Sequence, residues 1–173
     1  MSLVETQNFL ARIYTDENLR RAFLRAPEQI GREHDLTTAE IAEIVEIFPS
    51  EIKTFAESLF YKRLRETEKL LPLTRQNLGA EFEKVFRQFA NTFNPQTIKK
   101  HLEDALRFAD YLQNCRTVSD LAKNVAKFER AKLEFWTVRK NLVVKLFAFD
   151  AETGARKKHL KIWLRIGGRE LVF

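Results

Sequence analysis

The residues with chemical potential in this chain are mostly cations. Lys62, Arg63, Arg65 and Lys69 form one group, with Arg75 just beyond. Positions 62, 65 and 69 are three and four residues apart, so they share one face of a helix. A second group is Arg156, Lys157, Lys158, Lys161 and Arg165. Clustered cations neutralise phosphates without sequence preference. Reading bases would require Arg, Asn or Gln on a helix fitted to a groove, and no stretch stands out as one. The same cations suit an acidic peptide added as a strand to an exposed hairpin edge. A solvated basic surface is the plainer alternative.

Anionic and nucleophilic groups offer less. Glu66 and Glu68 are two apart, so a helix points them to different sides. Glu103 and Asp104 sit near a helix start, where carboxylates favour the positive end of the dipole. Both pairs read as solvated surface. His34, His101 and His159 show no metal-ligand spacing. Cys115 stands alone, which excludes an internal disulfide and a thiolate metal cage, and it reads as a small packed or half-exposed residue. No nucleophile elbow, phosphate loop or dinucleotide fingerprint occurs. These observations predict a protein without catalytic, metal or cofactor residues.

The elements that must position the cations follow from composition and periodicity. The chain has 173 residues, 45% hydrophobic and 31% charged, with 15 Phe. That is an ordinary globular composition with enough residues for one sizeable core or two small ones. The net charge is +6 and uneven. Residues 1–50 carry 5 Lys/Arg and 9 Asp/Glu, a net −4, while residues 127–173 carry 12 and 5, a net +7. Such asymmetry points to an acidic or polyanionic partner, or to two solvated surfaces of opposite sign. No signal-like pattern opens the sequence and no apolar run approaches about 18 residues. A cytoplasmic protein without a membrane association is expected.

Four short amphipathic helices are predicted in the first fifty residues. Phe9, Leu10, Ile13 and Tyr14 lie at helical spacing, and Asp16 caps a second helix bearing Leu19, Phe23 and Leu24. Pro27 starts a turn that Gly31 closes. Thr37 and Glu40 form a capping box before Ile41, Ile44, Val45 and Phe48. A helix of about six turns follows from Ser50, with Ile52, Phe55, Ala56, Leu59, Leu64, Thr67, Leu70 and Leu71 on its apolar side. Pro72 ends it, and a short fragment stops at Gly79. Phe82, Val85, Phe86, Phe89 and Phe93 make an aromatic stripe that reads as core rather than a cofactor pocket, because no polar orienting groups lie among the rings.

Asn94-Pro95 reads as a cap and first turn, opening a helix through Ile98, Leu102, Ala105, Leu106, Ala109 and Leu112 to about Asn114. Thr117 and Asp120 cap another, bearing Leu121, Val125, Phe128, Ala131 and Phe135 and ending near Thr137. The period then changes to two. Residues 142–149 form a strand, Asp150 to Gly154 a turn, and residues 159–166 a second strand. Gly167-Gly168 turns into a third, placing Arg165 opposite Glu170, Trp163 opposite Val172, Leu164 opposite Leu171 and Ile162 opposite Phe173. One face then carries a charge pair and an aromatic–aliphatic pair, and the other is wholly apolar. The expected fold is α+β and predominantly α: a small helical module over residues 1–48, a helical bundle over 49–138, and an antiparallel sheet element over 139–173.

The order of motifs is similar to that of a bacterial family. Tyr61-Lys62-Arg63-Leu64-Arg65, Leu70-Leu71-Pro72-Leu73, Leu78-Gly79-Ala80-Glu81-Phe82 and Phe89 resemble bacterial proteins described as having a DNA-binding domain. His101-Leu102, Phe108-Ala109-Asp110-Tyr111-Leu112, Val118-Ser119-Asp120-Leu121-Ala122 and Phe128-Glu129-Arg130-Ala131 resemble its later helices, with Phe128 where Leu is usual. The broad group includes methanobactin-biosynthesis partner proteins. The resemblance implies a helical domain with a small C-terminal β domain, acting beside an iron oxygenase that modifies a ribosomally made peptide. Residues 9–37 resemble the small helical modules of nitrogen-fixation-type leader peptides and of the small subunit of some ring-cleaving dioxygenases, which bind an enzyme rather than being one. The expected function is therefore a non-catalytic partner or peptide-recognition protein in peptide natural-product biosynthesis. The alternative is a nucleic-acid-binding regulator. In either case the contact residues are expected among Lys62, Arg63, Arg65, Lys69, Arg75, Lys157, Lys158, Lys161 and Arg165.

Overall fold

The computed structural model describes residues 3–46, 49–137, 141–150, 155–156, 158–166 and 169–172. The described residues are mostly helical, with one three-stranded antiparallel sheet, so the fold is α+β and predominantly α. The chain divides into two compact units. The first is Met1–Arg63 with Ala90–Asn94, and the second is Leu64–Phe89 with Pro95–Phe173.

The first unit holds α1 (Leu3–Thr15), α2 (Glu17–Arg25), α3 (Pro27–Glu33), α4 (Thr38–Glu46) and the opening turns of α5 (Pro49–Leu70). None of its short helices is stable alone. They share a core of Phe9, Ile13, Phe23, Leu36, Ile41, Ile44 and Ile52. Asp16 caps α2 as expected, its carboxylate accepting from the amides of Asn18 and Leu19. The capping box is also present. Glu40 accepts from the Thr37 amide at 2.8 Å and the Thr37 hydroxyl at 2.7 Å, and the Glu40 amide donates back to Thr37 Oγ1. The Thr6 hydroxyl adds a bond to Glu40 from α1.

Two expectations change here. Gly31 does not close α3; the helix runs on to Glu33, and Asp35 takes the positive φ of 59°. Gly31 is buried because α4 crosses against it: a Cβ there would lie 2.5 Å from Ile41 Cγ1. Leu24, Val45 and Phe55 face solvent rather than the core, although Phe55 stacks edge-on against Tyr14 at 4.7 Å. Phe48, expected on the α4 face, lies outside the described residues.

The second unit contains the rest of α5, then α6 (Pro72–Leu78), α7 (Glu81–Ala90), α8 (Lys100–Asn114), α9 (Asp120–Thr137) and strands β1 (Leu142–Phe147), β2 (His159–Ile166) and β3 (Arg169–Val172). α5 ends where Pro72 forbids continuation, and Gly79 ends α6 at φ 54°. The aromatic stripe is core. Phe82, Val85, Phe86 and Phe89 are buried, and the rings of Phe82, Phe86 and Phe89 all pack on Phe108 of α8 at 5.1–5.4 Å. Phe93 lies past the end of α7 and is half-buried.

Asn94-Pro95 does not open α8, which starts at Lys100. The Glu103 carboxylate, within the first turn, instead captures the amides of Gln96 (3.1 Å) and Thr97 (3.0 Å). Those amides are then satisfied without helical geometry, and they hold the Glu103 carboxyl below its ordinary pKa. The folded-back loop leaves Ile98 fully in solvent. Asp104 is fully buried, contrary to its expected surface position. α9 is capped by Ser119, whose Oγ accepts from the Ala122 amide, and not by Thr117.

Two outcomes follow for the first unit. Gly31→Ala forces a methyl into Ile41, itself 1% exposed, and lowers unfolding free energy by about 1–3 kcal/mol, measured by urea denaturation. The bonds to Glu40 lower its pKa to about 2 from the ordinary 4.5. A depressed carboxyl contributes stability above its unfolded pKa and loses it as pH falls towards the folded value. The wild type therefore loses stability between about pH 4.5 and 2, and Glu40→Gln loses less over that window, measured by denaturant midpoints at each pH.

Candidate partner-binding face

Three cations of the first group already have partners, and four of its five members are exposed. Arg63 is half-buried and donates from Nη2 to the Phe93 carbonyl at 2.9 Å. Lys69 pairs with Glu66 at 2.6 Å. Arg75 pairs through Nε with Glu68 at 2.6 Å, donates from Nη1 to the Gly79 carbonyl, and lies over the Phe82 ring. The two carboxylates expected as free surface are thus ion-paired. Lys62 and Arg65 are exposed, with no ion pair among the described residues. Lys62 belongs to the first unit, and Arg65, Lys69 and Arg75 to the second.

The second group is also dispersed. Lys157 lies outside the described residues, and Arg156 and Lys158 are exposed. Lys161 is half-buried on the side of the sheet that faces α9, directly opposite Lys145. Arg165 pairs with Glu170 at 2.6 Å and lies 4.9 Å over the Phe135 ring. Its partner across the strand is the residue expected from the register.

The sheet has the order β1-β2-β3. Trp163↔Val172, Leu164↔Leu171 and Arg165↔Glu170 are paired as the alternation predicts. The Gly167-Gly168 turn, the Asp150–Gly154 turn beyond Asp150, and the place of Phe173 opposite Ile162 lie outside the described residues. β1 stops at Phe147, two residues earlier than expected. The Asn124 side chain of α9 takes over there, accepting from the Ala148 amide at 2.9 Å and donating to the Phe149 carbonyl at 2.7 Å.

One face of this sheet is covered and the other is not. Val143, Phe147 and Trp163 are buried against Ala131 and Phe135 of α9, with Phe128 packed beside them. On the opposite face Leu142, Val144 and Leu146 pair with Leu164, Ile162 and Leu160, and Ile166 and Leu171 extend the row. Leu142, Val144, Leu146, Leu160, Ile166 and Leu171 are each 41–60% exposed. This leaves a row of large apolar side chains in water on one side of the sheet, the kind of patch that marks an interaction surface. None of these residues was expected at a contact surface. The signal was present in the sequence: both faces of β2 carry large apolar groups, and a sheet covered by one helix layer needs only one such face.

What aims the covered face is α9, fixed in turn by Glu129. This carboxylate is 4% exposed. It accepts from the amides of Leu73 and Thr74 at 2.8 Å each and from the Thr74 hydroxyl at 2.6 Å. Those amides are the open end of α6, which has no side-chain cap of its own. Burial pushes the Glu129 pKa up, while the three hydrogen bonds pull it down.

Residues 48–114 match the family described as SCO6045-like, C-terminal domain. This chain is similar to that family from α5 to the end of α8, the stretch that carries Lys62 to Arg75. α9 and the sheet lie beyond the matched residues. The match does not support a grouping with DNA-binding or methanobactin-biosynthesis proteins. No curated protein and no solved structure matches the chain. Among the described residues, no helix is long and apolar enough to cross a membrane, and no three His, Cys, Asp or Glu side chains are grouped as a metal site requires.

Replacing Glu129 by Ala strands two amides and a hydroxyl in a buried place. The expected cost is about 3 kcal/mol or more, with Glu129→Gln costing less because it keeps one acceptor. Urea denaturation followed by far-UV circular dichroism measures both.

Proposed function

We propose that this chain is a non-catalytic binding protein that recognises a polypeptide partner through the apolar face of its C-terminal sheet. The observation that carries the reading is the row of six large apolar side chains left in water while the opposite face is packed on α9. Such a row favours association because covering it removes apolar area from water. A cytoplasmic accessory role in making a modified peptide is consistent with this reading and rests on the sequence resemblance alone. Nucleic-acid binding is less favoured, because Arg63, Lys69, Arg75 and Arg165 already serve internal carbonyls and carboxylates.

Val144→Glu combined with Leu171→Glu places charge on the face at two exposed positions and leaves the folded helices intact by circular dichroism. Both forms are used to capture binders from native lysate at gentle salt. A polypeptide held by the wild type and lost by the folded variant is the expected result. Equal retention by both forms, or none by either, overturns the reading.

A further inference from the structure

Beside one end of the apolar face lies a cleft of about 420 Å³, within the size range of ligand-binding pockets. Its described lining includes four cations, Lys123, Lys127, Arg156 and Lys158, against one carboxylate, Asp120. The walls come from α9 and from the chain on either side of the β1–β2 connection. Lys127 is already committed: its Nζ donates to the Leu146 carbonyl at 2.8 Å and sits over the Phe147 ring. Lys123, Arg156 and Lys158 form no ion pair among the described residues, and Arg156 and Lys158 are exposed.

The cleft and the face meet at one residue of the edge strand β1, whose carbonyl is bonded on the cleft side by Lys127. Leu146 lines the cleft and is also 56% exposed on the apolar face. A ligand lying across that face and passing the end of β1 reaches three cations that form no ion pair among the described residues. From this adjacency and the charge of the cleft, and resting on the proposed function above, we infer that the partner segment is amphipathic and acidic. Its apolar side covers Val144, Leu160 and their neighbours, and its carboxylates enter the cleft to meet Lys123, Arg156 and Lys158. Charge complementarity selects such a segment. It also weighs against a second copy of this chain seated face to face, since residues 127–173 carry a net +7 in each copy and like charges at an interface repel.

The probe is a phage-displayed random peptide library panned against the full chain, with the enriched peptides made synthetically and titrated by fluorescence anisotropy. The expected result is enrichment of peptides combining Leu, Ile, Val or Phe with Asp and Glu. Their affinity falls about tenfold or more in the Lys123→Glu/Arg156→Glu/Lys158→Glu variant, falls similarly in Val144→Glu/Leu171→Glu, and weakens with added salt. Enrichment of apolar peptides without acidic residues, bound equally by the cleft variant, overturns the acidic segment but leaves the face as a polypeptide site. Self-association of the wild type in sedimentation, abolished by Val144→Glu/Leu171→Glu, assigns the face to a second copy and overturns the inference. Tighter salt-sensitive binding of duplex DNA at the same cations overturns it too. Failure to enrich any peptide, with no self-association, overturns both the inference and the proposed function.

Discussion

The second unit depends on a carboxylate held out of water. Glu129 on α9 receives the two leading amides of α6 and the Thr74 hydroxyl. α6 has only seven residues and no local cap, so its open amide end needs an acceptor supplied from elsewhere in the chain. The bond network thereby fixes α9 along a helix 55 residues earlier in sequence. Everything C-terminal to α9 takes its position from that docking. Phe128, Ala131 and Phe135 present one apolar stripe to the sheet, and Trp163 and Phe147 fill it.

The same helix determines the character of both sides of the sheet. α9 covers one face and pins the end of β1 through Asn124 and Lys127. Lys145, Lys161 and Arg165 lie on the helix-facing side, at its half-buried margins. There the Arg165 guanidinium lies over the Phe135 ring and pairs with Glu170. Three cations of the sheet thus lie on the inner side, while the outer side carries a row of aliphatic groups with Arg169 at its end by register.

Much of the local structure was legible in the sequence, because it rests on local rules. Asp16, the Thr37–Glu40 box, the Pro72 stop, the Phe82–Phe89 stripe and the strand register each depend on neighbours within a few residues or on a simple period. What was not legible depended on distant groups. Gly31 reads as a stop until Ile41 is seen to cross it. Asn94-Pro95 reads as a helix start until Glu103 takes the amides that the helix would have used. The partners of the candidate cations were not legible for a related reason. Counting cations locates charge but not the carboxylates and carbonyls that consume it, and Glu66, Glu68 and Glu170 consume three of them. The wholly apolar side of the hairpin was legible, but not that it stays in water, because alternation tells which residues share a side of a strand and not which side another layer covers.

The uncovered face also limits the free chain itself. Side chains such as Leu146, Leu160 and Ile166 meet water in every unbound molecule, and encounters between such patches rise with the square of concentration. The exposed row opposes the solubility that the +6 net charge favours, and salt that screens the charge shifts the balance towards association. Covering the face shifts that balance back towards solubility by removing the apolar side chains from water.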